Sequence, residues 1–448
     1  MNLIIDKIER KLNKVANTIL STQPYKGTRD FYPEDMRLRN WFFGKIRETL
    51  ELAAFDEYNG PMLESLELYA AKSGAEIVNE QTYNFMDRGG RHLAVRPEMT
   101  PTVARMVANK LGELNMPLKW FSIPNLYRYE RPQRGRLREH WQVNVDIFGC
   151  DTFDADVEVI STAVSLLKGF GADASMFRVH INNRRFFNDV IAAICGCDAD
   201  KAKLISKVVD RKNKVTRESY EKDMTELGLD MDKIAKIDAL YTMNVTEACA
   251  LCPDSQGSAE LIGLFSAIDK MGLSEYCMFD FGIIRGLDYD TGTVFEVFDE
   301  APENNRAMFG GGRYDNLVGL FVKNAKVSGV GFGFGDVTLE NFLNTHALVP
   351  ERLGAGVKVL VARFDDVPAE KYSAMAAKIR EGGTVCASYI GSRKFGKQID
   401  YAVKGGYTHV VIMGGSELEA NTFKIKNLST HEESTHSLNE LGSSAIFN

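Results

Sequence analysis

The chain has 448 residues, 44% of them hydrophobic and 26% charged, which is typical of a globular protein with roughly two to four domains. Its formal net charge of −7 excludes a chain-wide basic surface, so any nucleic-acid binding has to use local basic patches. The sequence contains no run of about eighteen apolar residues, so we predict no membrane-spanning helix. Seven cysteines, an odd and sparse set, favour a reducing compartment over a disulfide framework, and we expect a cytoplasmic protein.

The pattern along the first third of the chain predicts an extension followed by a mixed domain. Residues 1–24 alternate charged and apolar positions at helical spacing, and Asp6 and Glu9 interrupt the apolar run that a secretory signal would need. Two strand patterns joined by a basic loop, at 118–130 and 140–149, favour an antiparallel sheet. The other predicted elements of this part are helices at 34–56 and 100–114 and short strands at 83–87 and 92–98.

Composition changes twice in the remainder of the chain. Residues 186–262 are highly charged with helical periodicity, which predicts an inserted helical module. Strand patterns resume at 277–298, "FGGGRYDNL" (309–317) is predicted to be a glycine-rich turn, and "GVGFGFG" (329–335) to be a strand pressed against a ligand or another backbone. Alternating strand and helix patterns then predict a small parallel α/β domain over 356–448.

Three short motifs suggest chemistry that their spacing does not support. "GVGFGFG" misses the dinucleotide-binding spacing, and "GSRKFGKQ" (391–398) has Gln398 where a phosphate-binding loop needs Ser or Thr for magnesium. The latter basic loop could still contact a nucleic-acid phosphate or simply be solvated. Cys249 and Cys252 lack the second ligand pair of a structural zinc site, so we predict no protein-bound structural metal.

Two stretches carry charged residues in apolar strand patterns. In 140–149 the alternation places Gln142 and Asp146 on a polar face opposite a buried one. The preceding loop has arginines at 131, 134, 136 and 138, which suits a polyphosphate or nucleic-acid backbone, although surface ion pairs would also explain it. At 283–298, Arg285, Asp288 and Asp290 form either a structural ion pair or a site, since isolated buried charges are costly.

Several motifs resemble one known family. "YRYERPQRGRLREHWQ" (127–142) is similar to motif 2 of class II aminoacyl-tRNA synthetases, in the form found in histidyl-tRNA synthetases. "IIRGLDYDTGTVFE" and "GGGRYDNLV" resemble that family's two histidine-specific motifs, "VRPEMTPT" its histidine-binding segment, and "KGTRDFYP" its N-terminal signature. The resemblance implies an α+β fold. A class II antiparallel-sheet catalytic domain at 25–345 would carry the helical insertion, and a parallel α/β anticodon-binding domain would follow at 356–448.

The resemblance implies an ATP-dependent histidine–tRNA ligase, with Mg²⁺ arriving on ATP and with histidine tRNA, L-histidine and a second copy of the chain as partners. Arg128 and Arg285 would be catalytic at the α-phosphate. ATP would also contact Glu130 through the adenine amino group, Arg136 through the phosphates, and His140 by stacking on adenine. The residues implied to bind histidine are Glu98, Met99, Thr100, Gln142, Asp146, Tyr289, Asp290 and Tyr314.

Three positions depart from the family pattern, and they keep another interpretation open. Asp290 replaces a common tyrosine, His140 stands where an aromatic residue commonly stacks, and Thr338 replaces the ATP-binding arginine of motif 3. We expect Arg313 or an arginine of the motif 2 loop to compensate at Thr338. The alternative is an inactive paralogue, either a regulatory subunit of ATP phosphoribosyltransferase or a sensor of tRNA or histidine.

Overall fold

The computed structural model describes residues 20–70, 80–209, 211–212, 215–284, 290–304, 306–354, 356–391 and 394–447. The chain divides into two compact units, Met1–Val349 and Pro350–Asn448. The described strands are β1 Asp56–Glu57, β2 Leu63–Ser65, β3 Asn84–Met86, β4 His92–Val95, β5 Leu118–Ser122, β6 Asn125–Tyr127, β7 Glu139–Phe148, β8 Phe177–Asn183, β9 Cys277–Phe279, β10 Thr293–Asp299, β11 Ala307–Arg313, β12 Gly329–Gly335, β13 Lys358–Val361, β14 Val385–Ser388, β15 His409–Ile412, β16 Thr422–Asn427 and β17 Glu433–Ser437.

The described α-helices are distributed over both units. They are α1 Pro33–Leu52, α2 Leu66–Ala70, α3 Thr100–Asn109, α4 Asp154–Lys168, α5 Arg184–Cys195, α6 Ala199–Val209, α7 Arg217–Glu226, α8 Met231–Ala239, α9 Val245–Cys249, α10 Gln256–Lys270, α11 Asp336–Thr345, α12 Ala369–Glu381, α13 Phe395–Lys404 and α14 Gly415–Glu419. Helices α5 to α10 follow one another between residues 184 and 270, where the sequence has its charged helical periodicity. Within the described ranges, no helix is both long and apolar enough to cross a membrane.

The first unit is built on one large, mainly antiparallel sheet. Its strand order is β1-β5-β7-β12-β11-β10-β8-β9, with β6 paired to β7. Among the described strand pairs of this sheet, only β1–β5 and β8–β9, at its two ends, are parallel. Strand β7 lies between β5 and β12, and its Val143, Val145 and Ile147 pack into the main core together with residues of α1 and α4. The long sheet therefore fixes the polar face of β7 in the interior of the unit.

The prediction of a glycine-rich turn at 309–317 is wrong for its glycines, because residues 307–313 form strand β11 and the turn follows only at 315–316. This strand pairs with β10 on one side and with β12 on the other. A Cβ atom at Gly311 would overlap the carbonyl oxygen of Gly331 and come within 2.7 Å of the Phe295 ring. Glycine is required here by close strand packing and not by a turn.

The second unit is a five-stranded sheet of order β14-β13-β15-β16-β17 among the described residues. Strands β13, β14 and β15 are parallel, and their apolar side chains pack into a core on each face of the sheet. The expectation of a purely parallel sheet was incomplete, since β16 and β17 add an antiparallel hairpin beside β15. The parallel part agrees with the buried, continuous apolar runs of its strands.

A pair of glycine substitutions tests the close strand packing around Gly311 in the first unit. Gly311→Ala should lower the free energy of unfolding by about 1–3 kcal/mol, because its new methyl group meets backbone that cannot move aside cheaply. Gly44→Ala, in the middle of α1 with no atom within 4 Å of the added Cβ, should raise it by about 1 kcal/mol. Chemical denaturation of both variants measures the difference, and an unchanged midpoint for Gly311→Ala would contradict the packing argument.

Candidate active site

The polar face of β7 runs along a strand of glycines. Gln142 and Asp146 point to the side where β12 has Gly329, Gly331 and Gly333, and Asp146 lies opposite Gly331 in the strand register. A Cβ atom at Gly331 would come within 2.6 Å of Asp146 Oδ1, and one at Gly333 would overlap the Gln142 amide. The prediction that 329–335 forms a strand pressed against another backbone is therefore confirmed, since a Cβ atom at Gly331 would overlap the Val145 carbonyl oxygen. Side chains of β7 and of Tyr314 approach the same glycines.

Asp146 is a buried carboxyl group held by hydroxyl groups. The Tyr314 hydroxyl donates a hydrogen bond to Oδ1, and the Tyr58 hydroxyl lies 3.5 Å from Oδ2. Burial raises the pKa of Asp146 to about 7 although both hydrogen bonds act to lower it. The carboxyl group can therefore ionise near neutral pH and accept a hydrogen bond from an N–H group of a ligand.

A cavity of about 580 Å³ opens at the other end of this polar face. Residues from the β6–β7 loop, the β10–β11 connection and the first turns of α11 line it. Of the residues predicted from the sequence, the cavity brings together Arg128, Glu130, Arg136, His140 and Gln142. Its lining also contains two further cations, Arg134 and Arg306, as expected for a site that receives an anionic ligand.

The predicted ATP-binding residues already interact with the chain in specific ways. Arg136 and Glu130 form a two-point ion pair, in which Nη2 lies 2.7 Å from Oε1 and Nε also donates. Arg128 donates from Nε to the Pro97 carbonyl oxygen at 2.8 Å. Burial, helped by the nearby Arg128 charge, lowers the pKa of His140 to about 3, so its imidazole is neutral at physiological pH.

The remaining predicted residues are either placed by burial and position or fall outside the described ranges. Glu98 and Met99 are buried just before α3, which begins at Thr100. Asp290 is buried, and a Cβ atom at Gly312 would lie 3.1 Å from its Oδ1. Arg285 and Tyr289, together with Asp288, fall outside the described residues.

Sequence reasoning missed two residues of this region. Tyr58, which contacts Asp146, directly follows β1, but nothing in its local pattern distinguishes it from a core tyrosine. Asn304 lines the cavity from the β10–β11 connection, about 170 residues from the loop arginine that it contacts, so only the fold brings the two together.

Comparison with known proteins supplies the decisive observation. A family model described as "Histidyl-tRNA synthetase" matches residues 27–336, and one described as "Anticodon binding domain" matches residues 358–444. The chain belongs to the histidyl-tRNA synthetase family. This membership confirms the resemblance found in the sequence motifs.

Named relatives and a solved structure agree with this membership. The chain is 44% identical over 423 residues, 94% of this chain and 96% of the relative, to a protein named histidine–tRNA ligase from Leptospira biflexa. It is 35% identical over 430 residues to another so named from Thermoplasma volcanium, with 93% and 96% covered. The crystal structure of histidyl-tRNA synthetase from Nostoc sp. PCC 7120 shares the fold, with a TM-score of 0.79, 21% identity and coverage of 94% and 98%.

One expected compensation for the missing motif 3 arginine of the family is wrong. Arg313 is only 3% exposed and is fully occupied inside the first unit. Its Nε lies 3.1 Å from Asp156 Oδ2, and its Nη atoms donate to the carbonyl oxygens of Cys150 and Thr152 at 3.0 and 2.8 Å. A guanidinium with these partners is a structural element and does not line the cavity.

The buried pair between Arg313 and Asp156 should dominate the stability of this region. Arg313→Met should lower the free energy of unfolding by about 3–5 kcal/mol, because it leaves Asp156 buried without a counter-charge. The double variant Arg313→Met, Asp156→Leu should recover much of that loss, since no charge then remains buried. Thermal or chemical denaturation measures the free energy of unfolding of Arg313→Met, Asp156→Leu and the double variant. A loss in the double variant equal to the sum of the two single losses would refute the pairing.

Proposed function

We propose that this chain is a histidine–tRNA ligase, which activates L-histidine with ATP and transfers it to the 3′ end of histidine tRNA. The observation that carries the proposal is the polar face of β7. It joins an arginine-lined cavity at His140 and Gln142 to a buried carboxyl group, Asp146, farther along the same strand. The cavity suits a nucleotide, and Asp146 suits an imidazole. Relatives of the chain are named for this reaction.

The first step needs positioning and charge neutralisation more than a protein nucleophile. A carboxylate oxygen of histidine forms a bond to the α-phosphorus of ATP, while the bond from that phosphorus to the bridging oxygen breaks and pyrophosphate leaves with the electron pair. Arg128 and Arg285 would hold the negative charge that develops on the α-phosphate. In the second step a ribose hydroxyl of the terminal adenosine attacks the acyl carbon, and AMP leaves.

The ion pair of Glu130 and Arg136 is compatible with roles for both at ATP. Each carboxylate oxygen keeps a second lone pair, so Glu130 can also accept a hydrogen bond from the adenine amino group. Arg136 has five N–H donors and uses two of them on Glu130, so the same guanidinium can pair with Glu130 and also contact phosphate oxygens. His140, neutral because of its lowered pKa, offers an uncharged ring for stacking on adenine.

The histidine side of the site follows from the donors and acceptors around Asp146. Asp146 would accept the imidazole N–H, and Tyr314 would line the pocket while holding the carboxyl group in place. Glu98, Met99, Thr100 and Gln142 would surround the α-amino and carboxylate groups, with Tyr289 and Asp290 completing the pocket. An apolar amino acid of similar size would leave a buried acceptor unpaired, at a cost of about 1–3 kcal/mol.

Further properties belong to the same proposal. Mg²⁺ arrives as part of the ATP substrate and is held mainly by phosphate oxygens. No cluster of three or more metal-ligating side chains occurs in the described ranges. The unit at 350–448 binds the tRNA anticodon, the chain forms a homodimer, and it acts in the cytoplasm. A regulatory paralogue is not favoured, because the relatives at up to 44% identity over nearly the whole chain are named as ligases.

Amino-acid-dependent ATP–pyrophosphate exchange tests the proposal. Exchange should occur with histidine and not with other amino acids, and Arg128→Gln should reduce it by about 100-fold because it removes charge stabilisation at the α-phosphate. Arg37→Gln removes the same charge from the exposed surface of α1 and should leave exchange unchanged. Absence of exchange at saturating histidine would instead support a regulatory or sensing paralogue.

The raised pKa of Asp146 predicts a pH dependence. Since that pKa is about 7, the carboxyl group is protonated at lower pH and loses its charge as an acceptor, so kcat/KM for histidine should fall as pH decreases through about 7. Free histidine titrates near pH ~6.5 as well, and Asp146→Asn separates the two because it removes only the protein's titration. If Asp146→Asn shows the same profile at lower activity, the titration belongs to the substrate and the pKa of Asp146 does not set the pH dependence.

A further inference from the structure

Thr338 contributes no charge to the cavity although it lies in its wall. Its hydroxyl lies 2.8 Å from the Met308 carbonyl oxygen and 3.0 Å from that of Gly335, so it is turned onto the backbone at the start of α11. The tip of the β6–β7 loop rests against it, since a Cβ atom at Gly135 would lie 3.6 Å from Thr338 Cγ2. The loop therefore occupies the space that a longer side chain at position 338 would need.

That loop tip is a tight and well-defined turn. Gln133 and Arg136 exchange backbone hydrogen bonds at 2.9 and 3.0 Å, which makes Arg134 and Gly135 the two central residues. Gly135 has a φ of +74°, and Arg134 is not among the non-glycine residues with positive φ. This combination is that of a type II turn, which fixes where the Arg134 side chain leaves the backbone.

Asn304 holds the Arg134 side chain at the cavity wall. The Arg134 Nη2 donates to Asn304 Oδ1 at 3.0 Å. Asn304 is itself fixed, because its Nδ2 donates to Asp299 Oδ2 at 2.6 Å, and Asp299 also lies 2.8 Å from His346 Nε2. Among the residues that the structure describes, Arg134 has no carboxylate within ion-pair distance, so its charge is available to a ligand.

We propose that Arg134, positioned by Asn304, binds the γ-phosphate of ATP and so replaces the arginine that motif 3 lacks in this chain. The proposal rests on the proposed function, because it assigns one end of the ATP site. Arg134 bears the charge, lines the cavity beside Thr338, and is oriented by an amide that accepts one N–H and leaves the others for phosphate oxygens. Asn304 is a positioning residue, since it acts only through Arg134.

Arg306 is the competing cation. It also lines the cavity and, like Arg134, is exposed, but no hydrogen bond to a described residue fixes its side chain. Ordering a free arginine side chain costs conformational entropy that Arg134 has already lost through its contact with Asn304. For this reason the geometry favours Arg134 over Arg306.

Equilibrium binding of ATP and ADP to the full chain tests the assignment without requiring turnover. Arg134→Gln should weaken ATP binding by about tenfold and leave ADP binding nearly unchanged, because only ATP has the γ-phosphate. Arg306→Gln, which removes a cavity charge not directed at one phosphate, should weaken ATP and ADP binding to a similar extent, and the surface control Arg37→Gln should change neither. Equal losses for ATP and ADP with Arg134→Gln, or a selective loss with Arg306→Gln in place of Arg134→Gln, would overturn the assignment.

A double-variant comparison tests the role of Asn304. Asn304→Ala should weaken ATP binding in the otherwise native chain and have no further effect in the Arg134→Gln background, because the two residues act as one unit. The same loss in both backgrounds would mean that Asn304 supports the fold of the loop and does not position Arg134. If the native chain binds ATP but shows no histidine-dependent exchange, the proposed ligase function fails while the binding comparison still decides the role of Arg134.

Discussion

The site depends on a strand of alternating glycines lying beside a strand of alternating polar residues. Strand β7 can hold Gln142 and Asp146 inside the unit only because Gly331 and Gly333 on β12 provide no side chains at those places. The opposite face of β7 is packed into the core through Val143 and its neighbours, so the polar side chains cannot turn to the other side. The sheet thus imposes a fixed line of polar groups where a core would otherwise continue.

A buried ion pair and a buried carboxyl group in this unit have opposite kinds of partner. The contrast distinguishes a structural role from a role in ligand recognition. Arg313 and Asp156 neutralise each other, and backbone carbonyl oxygens take up the remaining Arg313 donors. From the described residues Asp146 receives hydroxyl groups, which orient a carboxylate without cancelling its charge. Burial raises its pKa to about 7 because these hydroxyl groups supply no counter-charge, as expected of a carboxyl group whose partner comes from outside the chain.

The alternation of polar and apolar residues predicted β7 well. The glycines of β11 and the partner of Arg313 depend on long-range packing, which local patterns do not show. The period of two in 140–149 was sufficient because a strand with one buried face leaves a clear signal. The turn predicted at residues 309–313 was wrong because glycine-rich segments usually favour turns. Here the neighbouring strand and the Phe295 ring leave no room at Gly311 for a side chain larger than hydrogen. The pairing of Arg313 with Asp156 spans 157 residues, so no spacing in the sequence could have shown that Arg313 was already occupied.

The change in motif 3 is best understood from the whole first turn of α11. Asp336 pairs with Arg29 at 2.6 Å and accepts the Trp141 backbone N–H at 3.0 Å, which ties the helix to β7 and to the N-terminal signature segment. Thr338 ties the same turn to β11 through the Met308 carbonyl oxygen. The Asp336 and Thr338 side chains are both used in contacts within the first unit. The first turn of α11 therefore stabilises the adjacent sheet and provides no cation from these two positions. The positive charge facing the cavity then has to come from the loop that closes over this turn, where Gly135 meets Thr338 and Arg134 stands at the wall.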